Sequence, residues 1–209
     1  HILMLFVAFW CLVRARIAAY IPIMEFSEAR YAEIARKLLF EPNWITLWYT
    51  ELMPFWGKPP LAFWATAWSF ELFGVGELSA RLPSIVATLG TALLLYMLVK
   101  RQSSESQAGT STILYLTLAL VIHTAGAVIT DPILTLCTTA VMTGFWLAVQ
   151  HRQRRWGDVM WVALGLGLMT KGPIAPSCPG SRAPHGLRFG ASGAPFSRHS
   201  TGSPDPPSC

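Results

Sequence analysis

The sequence predicts an all-α protein, a polytopic bundle of membrane helices with amphipathic helices on the membrane surface. Of the 209 residues, 53% are hydrophobic and only 13% are charged, and the mean hydropathy is positive. Between residues 83 and 170 the chain contains four apolar runs, 83–99, 110–129, 132–149 and 157–170, typical of membrane-spanning helices. The acidic residues concentrate instead at 25–60, between apolar segments. Together these patterns favour a membrane protein over a water-soluble domain.

Residues 1–24, HILMLFVAFWCLVRARIAAYIPIM, are expected to be a first transmembrane span, truncated at its N-terminus. Arg14 and Arg16 interrupt this apolar segment. Two explanations stay open: the arginines mark the end of a short span, or they face a wet cavity lined by protein.

Residues 25–82 are expected to form one extracytoplasmic loop that carries two juxtamembrane helices. The first is amphipathic, with apolar residues recurring at helical spacing at Tyr31, Ile34, Ala35, Leu38 and Leu39. The second, residues 61–75, covers about 22 Å as a helix, less than the ~30 Å hydrocarbon core of a bilayer. Five tryptophans, at 44, 48, 56, 64 and 68, also favour a position at the membrane interface.

Residues 83–172 are expected to form four transmembrane helices whose orientation follows from flanking charge. Lys100, Arg101 and the basic run at 151–155 should be cytoplasmic. With alternating spans, the 25–82 loop, Asp131 and Lys171 then share the opposite face. The loop supports this orientation, because its seven carboxylates outnumber its five lysines and arginines.

The tail, residues 173–209, differs in composition from everything before it. It is rich in Pro, Gly, Ser and Arg and has no apolar periodicity, which predicts disorder. It also follows a helix end abruptly, so we expect it to be the product of a shifted reading frame.

Charge distribution and cysteine spacing argue against nucleic-acid binding and against sites built from cysteines. The net charge of +5 arises at segment ends and in the tail, and no nucleic-acid-binding motif is present, so no nucleic-acid partner is expected. The four cysteines, at 11, 137, 178 and 209, form no CxxC pair, which argues against a disulfide framework or a zinc site.

Five charged side chains are candidates for chemistry. Glu25 and Glu28 lie at a helix start, where a carboxylate stays ionised and could accept a proton or bind a divalent cation, or simply favour the helix. Lys58, in a Gly-Lys-Pro-Pro motif, could hold a phosphate or extend to the interface. Asp131 could cap a helix or act at the membrane boundary. Lys171 should lie on the same face.

Five segments, in this order and spacing, resemble the N-terminal part of the ArnT-like and protein O-mannosyltransferase family. They are SEARYAEIARKLL, NWITLWY, PFWGKPPLAFWATAWSFELFGVGELSARLPS, ITDPILTL and GLMTKGPIA. Members are integral-membrane glycosyltransferases of the GT-C type. The resemblance covers about residues 20–175, and the combination of motifs is more specific than any one of them.

The resemblance implies a sugar donor linked to polyprenyl phosphate, a lipid or protein acceptor, and surrounding membrane lipids. It also implies that the first extracytoplasmic loop carries the catalytic carboxylate. Many members have an Asp-Glu pair at the start of the first surface helix, where this chain has Ser27 and Glu28. Because Glu25 stands close by, the catalytic carboxylate is left between Glu25 and Glu28.

The remaining candidates take their roles from the same resemblance. Lys58, Arg81 and Lys171 are expected to bind the substrate phosphate, and Asp131 to support the loop or to hold a metal. The cofactor is unknown, with a divalent metal ion as one option. The mechanism expected is displacement at the anomeric carbon, with inversion.

The expected location is the bacterial inner membrane, with the active face in the periplasm. Two alternatives stay open: a small helical protein of the transporter type, and an inactive, truncated remnant. An inverted repeat would favour the transporter, and the sequence shows no similarity between its halves. We expect that the chain is a fragment and inactive alone.

Overall fold

The computed structural model describes residues 2–40, 44–50, 53–151 and 154–172, and there it contains eight helices and a single β-bridge between Trp48 and Pro54. The helices are α1 (Ile2–Tyr20), α2 (Phe26–Lys37), α3 (Leu61–Phe73), α4 (Glu77–Gln102), α5 (Glu105–Thr117), α6 (Ala119–Ala125), α7 (Asp131–His151) and α8 (Arg154–Lys171). The predicted all-α membrane fold is confirmed. The tail at 173–209 lies outside the described residues.

Three of the described helices, α1, α4 and α7, are long and apolar enough to cross a membrane. A fourth crossing is possible if α5 and α6, which meet at an angle of 66°, count as one broken span. α8 packs beside α7, but its charged ends leave only residues 159–170 uncharged, about 18 Å of helix. That α8 crosses the membrane stays a prediction.

The predicted span at 110–129 is wrong as a continuous helix, because the chain bends at Leu118. The bend frees backbone carbonyls that no lipid can satisfy. Two side chains of α1 supply donors: at the bend Trp10 Nε1 donates to the oxygen of Leu116 at 3.1 Å, and at the end of α6 Arg14 Nη2 donates to the oxygen of Ile122 at 2.5 Å. α1 therefore stabilises the broken span.

The arginines of α1 do not mark its end, because the helix continues to Tyr20. Arg14 is buried against protein, whereas Arg16 is exposed and lies 5.1 Å from the Tyr20 ring centroid. Of the two explanations left open, the protein-lined environment holds for Arg14 alone.

α4 begins at Glu77, six residues before the predicted start at Pro83. Proline inside a helix has no N–H for the carbonyl four residues earlier, here that of Ser79. The hydroxyl of Ser69, in α3, donates to this carbonyl oxygen at 2.6 Å. The contact between α3 and α4 thus supplies the hydrogen bond that Pro83 removes, which local sequence does not reveal.

Arg81, buried on α4, holds the end of α1 and the start of α2. Its Nη1 donates to the carbonyl oxygens of Ala18 at 2.9 Å and Ile21 at 2.5 Å, and Nη2 donates to that of Pro22 at 3.4 Å. Nη2 also lies 3.6 Å from a carboxylate oxygen of Glu28. One guanidinium thus connects the end of α1, the start of α2 and α4.

The amphipathic helix α2 turns its apolar face onto α3. Ile34 and Leu38 pack with Phe63 and Ala67 in a buried cluster. Tyr31 adds an edge-to-face contact, its ring centroid 5.5 Å from that of Phe63. The predicted apolar stripe of α2 is therefore covered by protein, and α2 and α3 form one layer.

Replacing Arg81 by methionine should lower the free energy of unfolding by about 3–5 kcal/mol, because Glu28 and the α1 carbonyls would stay buried without a partner. The measurement is thermal or denaturant unfolding in detergent. Arg101→Met, on the exposed end of the same helix, is the control and should change stability little. Equal stability of the two variants would contradict the structural role of Arg81.

Candidate functional site

Polar residues from distant parts of the chain meet at one end of the bundle. α7 begins at Asp131 and α8 ends at Lys171, and these side chains form an ion pair. Lys58, from the segment before α3, reaches Thr130 next to Asp131. At the other end of the helices, Arg101 lies 4.9 Å from the Trp156 ring centroid. These contacts agree with the predicted grouping of segment ends.

Lys58 is half-buried and held by two contacts. Its Nζ donates to Thr130 Oγ1 at 3.3 Å and lies 4.6 Å from the ring centroid of Tyr31. Among the described residues no carboxylate pairs with it. An ammonium group has three donors and Thr130 accepts from one, so Lys58 has donors left for an anion. Pro59 and Pro60 restrict the backbone that carries it.

Lys58 also borders a pocket of about 330 Å³ formed by the segments before α3. The walls of this pocket are mostly apolar and include Phe55 and the largely exposed Trp56. A second, much smaller cavity of about 10 Å³ lies beside Thr130, Tyr31 and Ser84, with space for one water molecule. Lys58 thus lies between an apolar-walled pocket and the hydroxyl of Thr130.

The structure separates the two candidate carboxylates of α2 by their surroundings. Glu28 is buried and paired with Arg81. Glu25 is the N-cap residue, its side chain is exposed, and its Oε1 accepts a hydrogen bond from Ser27 Oγ at 2.7 Å. Glu25 is therefore open to a substrate, whereas Glu28 is enclosed.

Arg36 and Arg81 both use their side-chain donors in contacts away from Lys58. Arg36 donates two hydrogen bonds of 2.8 Å to Glu33, which holds the pKa of the Glu33 carboxyl below its ordinary value. The Nη atoms of Arg81 face the carbonyls of α1, so its terminal donors do not point at Lys58. The structure does not bring Arg81 together with Lys58 and Lys171 around one position.

No group of three His, Cys, Asp or Glu side chains that could hold a metal ion occurs among the described residues. Asp131 pairs with Lys171 in place of a second carboxylate. The described donor set therefore does not fit a metal centre built by this segment alone, and of the two predicted roles for Asp131, the geometry favours support.

Two residues at this end were not singled out in the sequence as functional. Tyr31 was assigned only to the apolar face of α2, yet its ring contacts the Lys58 ammonium. Thr130 carries no charge and has no motif of its own beyond preceding Asp131. The only feature of the sequence that could have pointed to Tyr31 was its position on the apolar face of α2. No feature of the sequence pointed to Thr130.

A family model described as dolichyl-phosphate-mannose-protein mannosyltransferase matches residues 57–180 of the chain. Similar curated proteins carry the name undecaprenyl phosphate-alpha-4-amino-4-deoxy-L-arabinose arabinosyl transferase. Those of Erwinia tasmaniensis and Edwardsiella ictaluri are each 36% identical over 157 residues, 73% of this chain and 28% of the relative. The chain thus spans less than a third of their length.

Solved structures of ArnT from Cupriavidus metallidurans are also similar. One is in the apo state and one is bound to undecaprenyl phosphate, and each gives a TM-score of 0.79 at 27% identity. The similarity covers 85% of this chain and 34% of the solved chain. The helix arrangement described above is therefore shared with the corresponding part of ArnT.

Neutralising one partner of the Asp131–Lys171 pair should destabilise the α7–α8 hairpin, because the other charge is left unpaired. The pair is partly exposed, with side-chain exposures of 47% and 24%, so a coupling energy of only about 0.5–1 kcal/mol is expected. A double-mutant cycle of Asp131→Asn and Lys171→Met, followed by thermal unfolding, measures it. Additive effects of the two changes would contradict a direct interaction.

Proposed function

Because the chain belongs to the dolichyl-phosphate-mannose-protein mannosyltransferase family, we propose that it acts in sugar transfer from a polyprenyl-phosphate donor to a hydroxyl acceptor. The arabinosyl relatives and the ArnT structure bound to undecaprenyl phosphate support an undecaprenyl-linked donor, with an amino-pentose as the favoured sugar. The acceptor class is a lipid or a protein, and membrane lipids surround the chain.

The observation that carries this proposal is the environment of Lys58. Its ammonium group is fixed by Thr130 and Tyr31, lies beside an apolar-walled pocket, and has no carboxylate partner among the described residues. A lipid phosphate offers the oxygens that the remaining ammonium donors require, and the apolar wall suits the first carbons of the lipid chain.

We assign the role of general base to Glu25 and a structural role to Glu28. A base must reach the acceptor hydroxyl, directly or through one water. Glu25 is exposed, and Ser27 orients its carboxylate without closing it off. Glu28 is enclosed by Arg81, so it holds the start of α2 in position beneath Glu25.

In the proposed reaction the acceptor oxygen attacks the anomeric carbon while Glu25 takes its proton. The bond between that carbon and the lipid phosphate oxygen breaks, and the electron pair leaves with the phosphate. The phosphate is stable as an anion, so it needs a cation more than a proton donor, and Lys58 supplies the positive charge. Attack opposite the leaving group gives inversion at the anomeric carbon.

Arg81 and Lys171, both predicted as phosphate ligands, act indirectly in this proposal. Each is paired with a carboxylate, Arg81 with Glu28 and Lys171 with Asp131. They hold the helix ends around Lys58 and Thr130, and Asp131 is the supporting partner of Lys171. No step of the mechanism needs a metal held by the described residues.

The proposed topology places residues 25–82 on the extracytoplasmic face as a loop, after a first span at 1–24 and before four transmembrane helices at 83–172. Since the relatives are bacterial, the membrane proposed is the bacterial inner membrane, with the active face in the periplasm. The contact of Lys58 with Thr130 supports this arrangement.

Glu25→Gln should lower kcat for transfer from a labelled polyprenyl-phosphate sugar by about 10²–10⁴-fold, the usual contribution of a positioned base. Glu28→Gln should mainly lower stability, with kcat per folded molecule less affected. Glu71→Gln, an exposed carboxylate on α3, is the matched control. The assignment fails if Glu25→Gln keeps full kcat, or if Glu28→Gln loses kcat with unchanged stability.

Lys58→Met should weaken binding of polyprenyl phosphate by about ten- to hundred-fold, because charged hydrogen bonds contribute about 1.5–3 kcal/mol each. Binding to the purified protein in detergent micelles can be titrated with a short-chain polyprenyl phosphate. Lys100→Met, an exposed lysine at the other end of α4, should bind normally. Unchanged affinity in Lys58→Met would exclude Lys58 as the phosphate ligand.

A further inference from the structure

A separate pocket of about 200 Å³ lies between α1, α4 and α6; most of its lining is apolar, and no role described so far uses it. Its polar walls are Arg14, Arg81 and His123. The guanidinium of Arg14 packs directly against Gly126, where an added Cβ would come within 2.1 Å of Arg14 Nη2. The pocket is thus lined by two guanidinium groups from different spans and one imidazole.

The positive charge of this pocket is incompletely neutralised. Arg14 is 8% exposed and Arg81 is 4% exposed, and the Nε atom of each is buried without a hydrogen-bond partner among the described residues. Arg81 is paired with Glu28, but Arg14 is paired with no carboxylate in the described ranges. A cation that is buried without a partner is unfavourable. A bound anion would neutralise the charge of Arg14 and would accept hydrogen bonds from the buried N–H groups.

We propose that this pocket binds the phosphate group of an anionic membrane lipid, at a site distinct from the one at Lys58. Arg14 lies six residues before the end of α1, so it is about 9 Å below the end of that span. A charged arginine at this depth is accommodated by local thinning of the bilayer and by water, which brings headgroup phosphates toward it. A cavity of about 150 Å³ holds benzene, so the pocket admits a phosphate group while the acyl chains stay outside.

The proposal concerns phosphate chemistry and does not depend on sugar transfer. Free inorganic phosphate carries the same oxygens as a lipid headgroup, so the source has to be distinguished by experiment. The site also differs from the donor site in its lining, since Lys58 and Thr130 border other cavities.

The test is a lipid titration of the protein in a neutral detergent, followed by native mass spectrometry. The ligands are phosphatidylglycerol, zwitterionic phosphatidylcholine and inorganic phosphate. Arg14→Gln removes the charge but retains an N–H donor for the Ile122 carbonyl. Arg16→Gln removes an exposed charge from the same helix and serves as the matched control. Lys58→Met tests independence from the donor site.

We expect one phosphatidylglycerol to bind the wild type about ten-fold more tightly than phosphatidylcholine, a charge-dependent preference. Arg14→Gln should lose this preference, whereas Arg16→Gln and Lys58→Met should keep it. Competition by inorganic phosphate would identify a site for free anions, and lack of competition would identify the lipid as the source. Both outcomes support phosphate binding.

The proposal is overturned if the wild type binds both lipids equally, if Arg14→Gln and Arg16→Gln behave alike, or if Lys58→Met alone abolishes binding. Should Arg14→Gln fail to fold, Arg14→Lys keeps the charge and should retain most of the preference. Equal binding of the two lipids by the wild type overturns the proposal even if neither variant folds.

Discussion

The guanidinium of Arg81 is the contact on which the arrangement of α1, α2 and α4 at one end of the bundle depends. It satisfies carbonyls at the end of α1 and pairs with Glu28 at the start of α2, while its own helix α4 packs against both α3 and α7. A helix that ends near a bilayer leaves carbonyls without intrahelical partners. Arg81 donates to those carbonyls and also pairs with the Glu28 carboxylate. The end of α1 and the start of α2 are therefore fixed relative to each other.

The same requirement explains the other polar contacts inside the bundle. In three places a side chain from a neighbouring helix supplies a donor that the described helices lack: Trp10 at the break between α5 and α6, Arg14 at the end of α6, and Ser69 opposite Pro83. The bend at Leu118 has a further consequence for the site. It directs residues 126–130 across α4, where Ser84 Oγ donates to the Ala127 oxygen at 2.8 Å, and so brings Thr130 to Lys58.

At the candidate site, structural and chemical tasks are divided among similar residues. Of the two carboxylates three positions apart, Glu28 is enclosed by a cation and Glu25 is open. Of the cations predicted to meet a phosphate, Arg81 and Lys171 are paired with carboxylates, whereas Lys58 contacts only a hydroxyl and an aromatic ring among the described residues. Pairing therefore distinguishes the residues that hold the site from the one that is free to bind a substrate.

The sequence by itself determined the class of membrane-helix protein, the amphipathic character of α2 and the family. It also showed that α3 is too short to span a bilayer. These results follow from apolar periodicity, segment length and local motifs. It also indicated that the 25–82 segment, Asp131 and Lys171 share one face, because flanking charge orients successive spans. Only the tertiary structure decided that the helix predicted at 110–129 is broken at Leu118 and that α4 begins before Pro83. It also decided that Arg81 pairs with Glu28. Those features depend on hydrogen bonds between residues 10 to 108 positions apart, and no local pattern encodes such partners.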